Sequence, residues 1–90
     1  MVVKYFADIR KLTGCEAETW NAAAPSLRTL VRQLGERHGA PLRDRVAQRE
    51  ELSSTIIVLV NGQNVEHLRG LDTPLGDDDV VAIFPMVAGG

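Results

Sequence analysis

The chain has 90 residues, of which 44% are hydrophobic, and a formal net charge of −2 at pH 7. This length allows one domain with a modest core, and the composition excludes both a transmembrane helix, which needs about 20 apolar residues in a row, and an electrostatic reason to bind nucleic acid or anionic membranes. A single cysteine excludes an internal disulfide and, with no signal peptide visible, indicates a cytoplasmic protein.

The N-terminal segment predicts a β-hairpin. Residues 2–6 alternate as a first strand, with one set of side chains facing the core. Residues 16–20 alternate weakly and can pair with that strand. Between them, residues 8–14 are interpreted as a polar connection closed by glycine, in which Ile9 and Leu12 turn back onto the core.

The clearest helix begins after Ser26, whose hydroxyl can cap free backbone N–H groups. Four apolar residues then follow at helical spacing, namely Leu27, Leu30, Val31 and Leu34. Such a stripe is typical of a helix that covers a sheet. Gly39 fits a left-handed C-terminal cap, and Pro41 is expected to keep the helix from resuming. Gly35, inside the helix, costs about 1 kcal/mol relative to alanine.

The middle of the chain is less regular. Residues 42–54 are polar and mixed in charge, and are interpreted as a surface loop in which a short helical turn around residues 43–47 is possible. Residues 55–60 form a continuous apolar strand. Asn61-Gly62 then marks a tight turn, and residues 63–65 form a short returning strand.

The last third predicts a loop followed by one more strand. Leu71 and Leu75 are the expected core contacts of the loop over residues 70–75, and three consecutive aspartates at 77–79 indicate a turn. The dense β-branched run that follows is typical of a buried strand. Pro85 is expected to end that strand, because proline has no N–H for the ladder.

The element order is therefore two strands, a helix, then three more strands. A single amphipathic helix must cover one face of a mixed sheet, and the first and last strands are apolar enough to be central. We predict an α+β fold of the β-grasp type, with four to five strands covered by one main helix. Residues 1–85 form the domain, and residues 86–90 form an extended C-terminal tail.

The tail has an unusual composition. Met86 to Gly90 contains no charged and no aromatic side chain, and it ends in two glycines. Glycine has no Cβ, so Gly89-Gly90 can enter a slot that any side chain would block, and the terminal carbonyl stays open to attack. The pattern indicates that the Gly90 carboxylate is the functional group. Glycine is also common in flexible chain ends, which is the alternative interpretation.

The other reactive residues are interpreted as ordinary. Cys15 has no base or cationic group nearby in sequence that would activate a thiol. His38 and His67 are isolated and lack metal-ligand spacing, so each is expected to be solvated. The acidic turn at 77–79 lacks the spaced oxygen ligands of a calcium loop. No bound metal or cofactor is therefore predicted.

Several segments together resemble a known family. They are Val60-Asn61-Gly62, the glycine-bearing loop to Leu75, the acidic turn at 77–79 and the run from Val80 to Gly90. These residues are similar to the MoaD/ThiS ubiquitin-like sulfur carriers, and most closely to the MoaD branch, the small subunit of molybdopterin synthase. Met86 stands where many members have a second proline, which makes the tail slightly less rigid. Over residues 1–40 only the pattern of strands and helix agrees.

The resemblance implies a carrier rather than an enzyme. An adenylating enzyme similar to the ubiquitin activators would use ATP to convert the Gly90 carboxylate into an acyl-adenylate, and a sulfur donor would then form a thiocarboxylate. Ala88 and Gly89 would enter the partner's active site with Gly90. Four residues would support docking, namely Phe84, Pro85, Met86 and Val87.

The resemblance leaves the sulfur acceptor open. Molybdopterin is the first expectation, with the large subunit of molybdopterin synthase as partner. Sulfur could instead go to a thiazole, to cysteine or to tRNA. Two further classes remain: a modifier joined to lysines through Gly90, and a β-grasp interaction module with an inert tail.

Overall fold

The computed structural model describes residues 1–86. The strands are β1 (Val2–Tyr5), β2 (Ala17–Thr19), β3 (Ala47–Gln48), β4 (Glu51–Leu52), β5 (Ile56–Val60), β6 (Gln63–Asn64) and β7 (Val80–Pro85). The helices are α1 (Ile9–Thr13), α2 (Leu27–His38) and α3 (Ala40–Val46). Single 3₁₀ turns at Val65–His67 and Gly70–Asp72 lie between β6 and β7.

Five of the strands form one mixed sheet in the order β2-β1-β7-β5-β6. The first and last strands are neighbours and run parallel, with Val3 beside Val81 and Tyr5 beside Ile83. β7 also pairs antiparallel with β5, so it is the central strand. The predicted α+β, β-grasp architecture and the central position of the first and last strands are confirmed.

The core lies between this sheet and the helices. Alternate residues of the central strands face α2, because successive side chains of a strand point to opposite faces. The fully buried sheet residues include Val3, Tyr5, Val81 and Ile83. The apolar stripe of α2 is buried against them as predicted, and the Ser26 hydroxyl accepts a hydrogen bond from the Thr29 N–H at 3.3 Å.

The connection between β1 and β2 contains a helix that was not predicted. Residues 9–13 form α1, which Gly14 ends in the left-handed conformation at φ 77° while its N–H donates to the Arg10 carbonyl. Ile9 is fully buried and Leu12 packs partly against the core, as expected. At five residues, α1 is too short to show a hydrophobic period, so the sequence indicated its two apolar core contacts but not the helix.

The chain after α2 differs most from the prediction. Gly39 has a positive φ of 104°, but its ψ of 165° is extended, so the predicted left-handed cap is wrong. The chain bends there and α3 begins at once, with Pro41 in its first turn. Proline is tolerated in a first turn because its missing N–H would have no intrahelical partner. The expectation that Pro41 prevents a helix is therefore also wrong.

The predicted surface loop at residues 42–54 is α3 followed by the β3–β4 hairpin. Leu42 and Val46 lie one helical turn apart on α3 and are fully buried. The hairpin turns through Arg49 and Glu50, which both have positive φ values, 51° and 65°. Such turns usually carry glycine or asparagine, so the sequence lacked the signal that marks a hairpin.

The C-terminal half follows the prediction closely. Asn61 and Gly62 have positive φ values, 52° and 84°, and join β5 to β6. β7 continues through Pro85, which pairs with Ile56, so the expected stop at Phe84 is one residue early. Because alternate residues direct their N–H groups to the same neighbour, the Pro85 nitrogen faces the side of β1, a strand that has already ended at Tyr5.

No helix within residues 1–86 has the length and apolar composition needed to cross a membrane.

Candidate functional site

The fold places the start of the tail at the end of its central strand. β7 is bonded on both edges, and Phe6 and Thr55 make its last backbone hydrogen bonds: the Phe6 N–H donates to the Ile83 carbonyl at 3.1 Å, and the Met86 N–H donates to the Thr55 carbonyl at 2.9 Å. The chain beyond Met86 thus starts from a well-fixed point. The predicted tail residues Val87, Ala88, Gly89 and Gly90 lie outside the described residues.

An apolar patch surrounds this end of the sheet. Its residues are Phe6, Ala7, Leu59, Ala82, Phe84 and Pro85. The rings of Phe6 and Phe84 pack edge to face, with centroids 5.8 Å apart. Phe6 is 38% exposed and Met86, which follows the patch, is 47% exposed. The structure therefore groups two of the predicted docking residues, Phe84 and Pro85, and places Met86 directly after them.

The patch has a simple origin in the pleat of the sheet. Val81 and Ile83 point into the core, so Ala82 and Phe84 must point to the opposite face. The aromatic pair on that outer face stays partly open to solvent, because Phe6 is exposed and Phe84 is half-buried. Exposed apolar groups collected in one place, with a polar rim, commonly mark an interaction surface. The rim here includes Arg10, whose guanidinium carbon lies 5.6 Å from the Phe6 ring centroid.

Sequence reasoning identified the part of the patch contributed by β7 and missed the rest. The alternation of residues 2–6 puts Phe6 on the opposite face from Val3 and Tyr5, but its contact with Phe84 depends on β1 lying beside β7. Leu59 was treated as one of several apolar residues in a buried strand. Its half-exposed position on the same face as Ala82 follows from the register of β5 and β7.

A partly buried polar cluster lies between β1, β2 and α2. The Tyr5 hydroxyl donates to Glu18 Oε2 at 2.5 Å, and His38 Nε2 lies 2.6 Å from the same oxygen. Arg37 Nε lies 2.9 Å from Glu18 Oε1. The His38 side chain is only 12% exposed, so the prediction of a solvated histidine is wrong. Glu18 and Tyr5, which lie beside the His38 ring, are 20 and 33 positions away in sequence.

This cluster shifts the pKa values of two of its members. Burial would raise the pKa of the Glu18 carboxyl, but hydrogen bonds from Tyr5 and His38 and the nearby charges outweigh it, and the pKa is lowered. Burial, with the hydrogen bond to Glu18, strongly raises the pKa of the Tyr5 hydroxyl. Each group is satisfied by another, so the cluster stabilises the contact of α2 with the sheet and offers no free reactive group.

The structure also places the other candidate groups. His67 is exposed, and Cys15 is half-buried against the core. The acidic segment forms a turn, in which Asp79 accepts hydrogen bonds from the Asn61 amide at 2.8 Å and the Gly76 N–H at 2.7 Å. These two bonds lower the pKa of Asp79. Across residues 1–86, no group of three or more His, Cys, Asp or Glu side chains could hold a metal ion.

The sequence profile of the ThiS family matches residues 3–90, which is nearly the whole chain and includes the terminal diglycine. The chain belongs to the ThiS family. The predicted MoaD/ThiS membership is thereby confirmed. This family consists of small ubiquitin-like carriers and modifiers, so the prediction of a carrier rather than an enzyme is confirmed as well.

Two curated relatives span nearly the full chain. Small archaeal modifier protein 3 of Haloferax volcanii is 33% identical over 88 residues, which are 98% of this chain and 96% of the relative. The molybdopterin synthase sulfur carrier subunit of Escherichia coli K12 is 35% identical over 88 residues, with the same coverage of 98% and 96%. One relative is thus named as a protein modifier and the other as a sulfur carrier.

The fold is shared with solved structures of ubiquitin-like proteins. A chain in the crystal structure of the Amycolatopsis orientalis BexX/CysO complex superposes with a TM-score of 0.86 at 29% identity, covering 99% of this chain and 98% of that one. The β-grasp fold is therefore of the ubiquitin-like kind.

Proposed function

We propose that this protein is a sulfur carrier in which the Gly90 carboxylate is the group that receives and delivers sulfur. The observation that carries the proposal is the extent of the family match, which runs through Gly89-Gly90 to the last residue. The fold adds support, because the central strand leads from the core directly to the tail, beside the apolar patch.

The chemistry requires only the terminal carboxylate from this chain. A Gly90 oxygen attacks the α-phosphorus of ATP in an activating enzyme, pyrophosphate leaves, and an acyl-adenylate forms. A sulfur nucleophile then attacks the carbonyl carbon and AMP leaves, so one carboxylate oxygen is replaced by sulfur. The partner supplies the ATP site and the acid–base groups, and this chain binds no cofactor itself.

The docking roles are divided between the patch and the tail. Phe84 and Pro85, with Phe6 beside them, form a surface that an apolar site on the partner can cover. Met86 and Val87 extend this contact, and Ala88 and Gly89 carry Gly90 into the active site. Residues 86–90 then act as a tail attached to a domain of residues 1–85.

We propose molybdopterin synthesis as the pathway, with the large subunit of molybdopterin synthase as the second partner. Support comes from the Escherichia coli relative, a molybdopterin synthase sulfur carrier subunit 35% identical to this chain. A second candidate function is protein modification through an isopeptide bond from Gly90 to lysine. It is favoured by the Haloferax volcanii relative, a small archaeal modifier protein at 33% identity.

Intact mass spectrometry tests the proposal. The protein is incubated with its activating enzyme, ATP and sulfide, and one sulfur-for-oxygen exchange at the C-terminus is expected. The Cys15→Ser variant should gain the same mass, which separates a thiocarboxylate from a persulfide on the thiol. A chain shortened by Gly89-Gly90 should gain nothing. If the mass of the full chain stayed unchanged with an active enzyme, the proposed carrier function would be refuted.

The same samples distinguish the two candidate functions. A thiocarboxylate that passes its sulfur to a molybdopterin precursor in the presence of the large synthase subunit supports the first. Covalent adducts on lysines of other proteins, formed with ATP and abolished by the same truncation, support the second.

A further inference from the structure

One hydrogen bond marks the end of the ordered pairing before the tail. The Met86 N–H donates to the Thr55 carbonyl at 2.9 Å, one residue beyond the pairing of Pro85 with Ile56. Thr55 immediately precedes β5 and is not itself in a strand. Met86, where the tail begins, is thus hydrogen-bonded to Thr55, a residue that lies outside the strands of the sheet.

Thr55 is instead held by side chains. Arg45 Nη1, from α3, donates to the Thr55 hydroxyl at 2.8 Å and lies 3.5 Å from the Thr55 carbonyl, the same oxygen that accepts from Met86. The Ser53 hydroxyl lies 2.9 Å from the Thr55 hydroxyl and accepts from the Thr55 N–H at 3.2 Å. Thr55 is therefore fixed on both its backbone and its side chain.

Arg45 is itself anchored on two sides. Its side chain is 26% exposed, and Nη2 lies 3.8 Å from Asp8 Oδ2, just before α1. Its neighbour Val46 is fully buried and its backbone carbonyl accepts from the Ser53 N–H at 2.9 Å. One guanidinium thus links α1, α3 and the residue that pairs with Met86, an arrangement that suits its several fixed donors better than a lysine ammonium.

We infer that Arg45 is a positioning residue for the reaction of the tail. It holds Thr55, and through Thr55 it holds the Met86 N–H, so it fixes the point from which the chain continues toward the reacting carboxylate. The inference rests on the proposed function. Arg45 is not part of the apolar patch.

The physical consequence concerns the distance between the docked domain and the Gly90 carboxylate. Terminal hydrogen bonds open far more often than those in the core unless other contacts hold them. If the Met86–Thr55 bond opens, the point from which the chain continues to Gly90 moves back by one residue, or about 3.5 Å. Since a displacement of about 1 Å can lower a rate by about 100-fold, a variable starting point should place the Gly90 carboxylate in the reactive position less often. Binding of the domain, which uses the patch, should not change.

Three variants test this. Arg45→Ala removes the guanidinium, and Thr55→Val removes the hydroxyl it binds while keeping the carbonyl. Arg43→Ala is the matched control, because Arg43 lies on the same helix, is exposed and pairs with its neighbour Asp44 at 3.1 Å. Two measurements are made on each: amide hydrogen exchange in the free protein, and ATP–pyrophosphate exchange with the activating enzyme.

In Arg45→Ala and Thr55→Val we expect the Met86 amide to exchange at least ~10-fold faster, while core amides such as Val58 keep the wild-type rate. The kcat of pyrophosphate exchange should fall ~10-fold or more with KM nearly unchanged. Arg43→Ala should match the wild type in both measurements.

Four results would overturn the inference. They are an unchanged Met86 amide in Arg45→Ala, a uniform acceleration of all sheet amides, a wild-type kcat despite a faster Met86 amide, and an effect of Arg43→Ala equal to that of Arg45→Ala. With a wild-type protein that is active in pyrophosphate exchange, these results leave the proposed function intact. If the wild-type protein is itself inactive with a competent enzyme, the proposed function fails, and the positioning role of Arg45 fails with it.

Discussion

Gly35 of α2 lies directly against Arg43 of α3. A Cβ built on Gly35 would stand 2.9 Å from the Cβ of Arg43, closer than two such atoms approach in folded proteins. The contact explains a glycine inside a helix, a position where alanine would be intrinsically better by about 1 kcal/mol. The absence of a side chain at residue 35 lets α3 pack closely against α2.

We therefore expect Gly35→Ala to destabilise the protein. The gain in helix propensity of about 1 kcal/mol is offset by overpacking of about 1–3 kcal/mol, because the atom it meets is fixed to the backbone of α3. Urea unfolding measures the net loss, expected at about 1 kcal/mol.

The Arg43→Gly background supplies the control for this prediction. With the Arg43 Cβ removed, alanine at residue 35 should be nearly neutral, and the difference between the two backgrounds gives the coupling energy. A Gly35→Ala variant more stable than the wild type would show that the helices are not in close contact.

The two helices that meet at this contact differ in how well the sequence predicts them. α2 and β1 follow from periods of 3.6 and two residues, and β5 and β7 follow from continuous apolar runs. All of these are properties of short segments. α3 begins at Ala40, between Gly39 and Pro41, two residues that usually end helices, and those signals proved misleading. A helix forms there because it buries Leu42 and Val46 against the core, which is a tertiary effect.

The residues of the candidate site likewise divide into those that the sequence predicts and those that it does not. Phe84 and Pro85 were found because they stand next to a distinctive terminus in the sequence. Phe6 and Leu59 belong to the patch only because β1 and β5 flank β7. In the sequence His38 is an isolated histidine, but the fold brings Glu18, 20 residues earlier, within 2.6 Å of it. Groups that meet through sheet order leave no local pattern.

The partly buried carboxylate of Glu18 predicts a dependence of stability on pH. Its pKa is lowered from the ordinary 4.5, so the unfolded state binds more protons in acid, and the stabilisation is present above pH 4.5 and lost as pH falls through the lowered value. Glu18→Gln should lose about 1–3 kcal/mol at neutral pH, and its stability should fall less steeply below pH 4.5. Urea unfolding from pH 7 to pH 3 measures both effects.

Glu16→Gln is the matched control for Glu18→Gln. Glu16 also carries a carboxylate just before β2, but it is exposed and lies 3.5 Å from Arg10. Its replacement should change the free energy of unfolding by less than about 1 kcal/mol and leave the acid dependence of the wild type in place. Identical acid profiles for the wild type and Glu18→Gln would show that Glu18 does not govern this dependence.

The proposed function predicts that the activating enzyme binds the apolar patch. Phe84→Ala and Phe6→Ala each remove one ring of the edge-to-face pair, and each should weaken binding by about 2 kcal/mol, or about 30-fold in Kd, as expected for central aromatic residues. Isothermal titration calorimetry with the activating enzyme gives the Kd directly. Circular dichroism before titration confirms that both variants are folded.

Leu68→Ala serves as the control for the patch. Leu68 is also a large apolar residue, 41% exposed, but it follows the 3₁₀ turn at Val65–His67 and is not part of the patch. Its replacement should leave the Kd within twofold of the wild type. If Leu68→Ala weakened binding as much as Phe84→Ala, the enzyme would be binding a different face of the domain.

The last prediction concerns the tail as a substrate, which must offer a slim backbone and a carboxylate at a fixed reach. Gly90→Ala keeps the reach but adds a methyl group where the slot is narrowest, so the rate of adenylation should fall sharply. An extra alanine after Gly90 keeps both glycines and moves the carboxylate by about 3.5 Å. Since about 1 Å can lower a rate by about 100-fold, the extended chain should be nearly inactive. ATP–pyrophosphate exchange with the activating enzyme measures both rates.

Thermal unfolding supplies the control for these tail variants. Chain ends generally contribute little to stability, so both variants should unfold at the wild-type temperature, and any lost activity then belongs to the tail rather than to the fold. The extended chain gives the decisive result. If it supported pyrophosphate exchange at the wild-type rate, the carboxylate of Gly90 could not be the reacting group, and an interaction module with an inert tail would become the better interpretation.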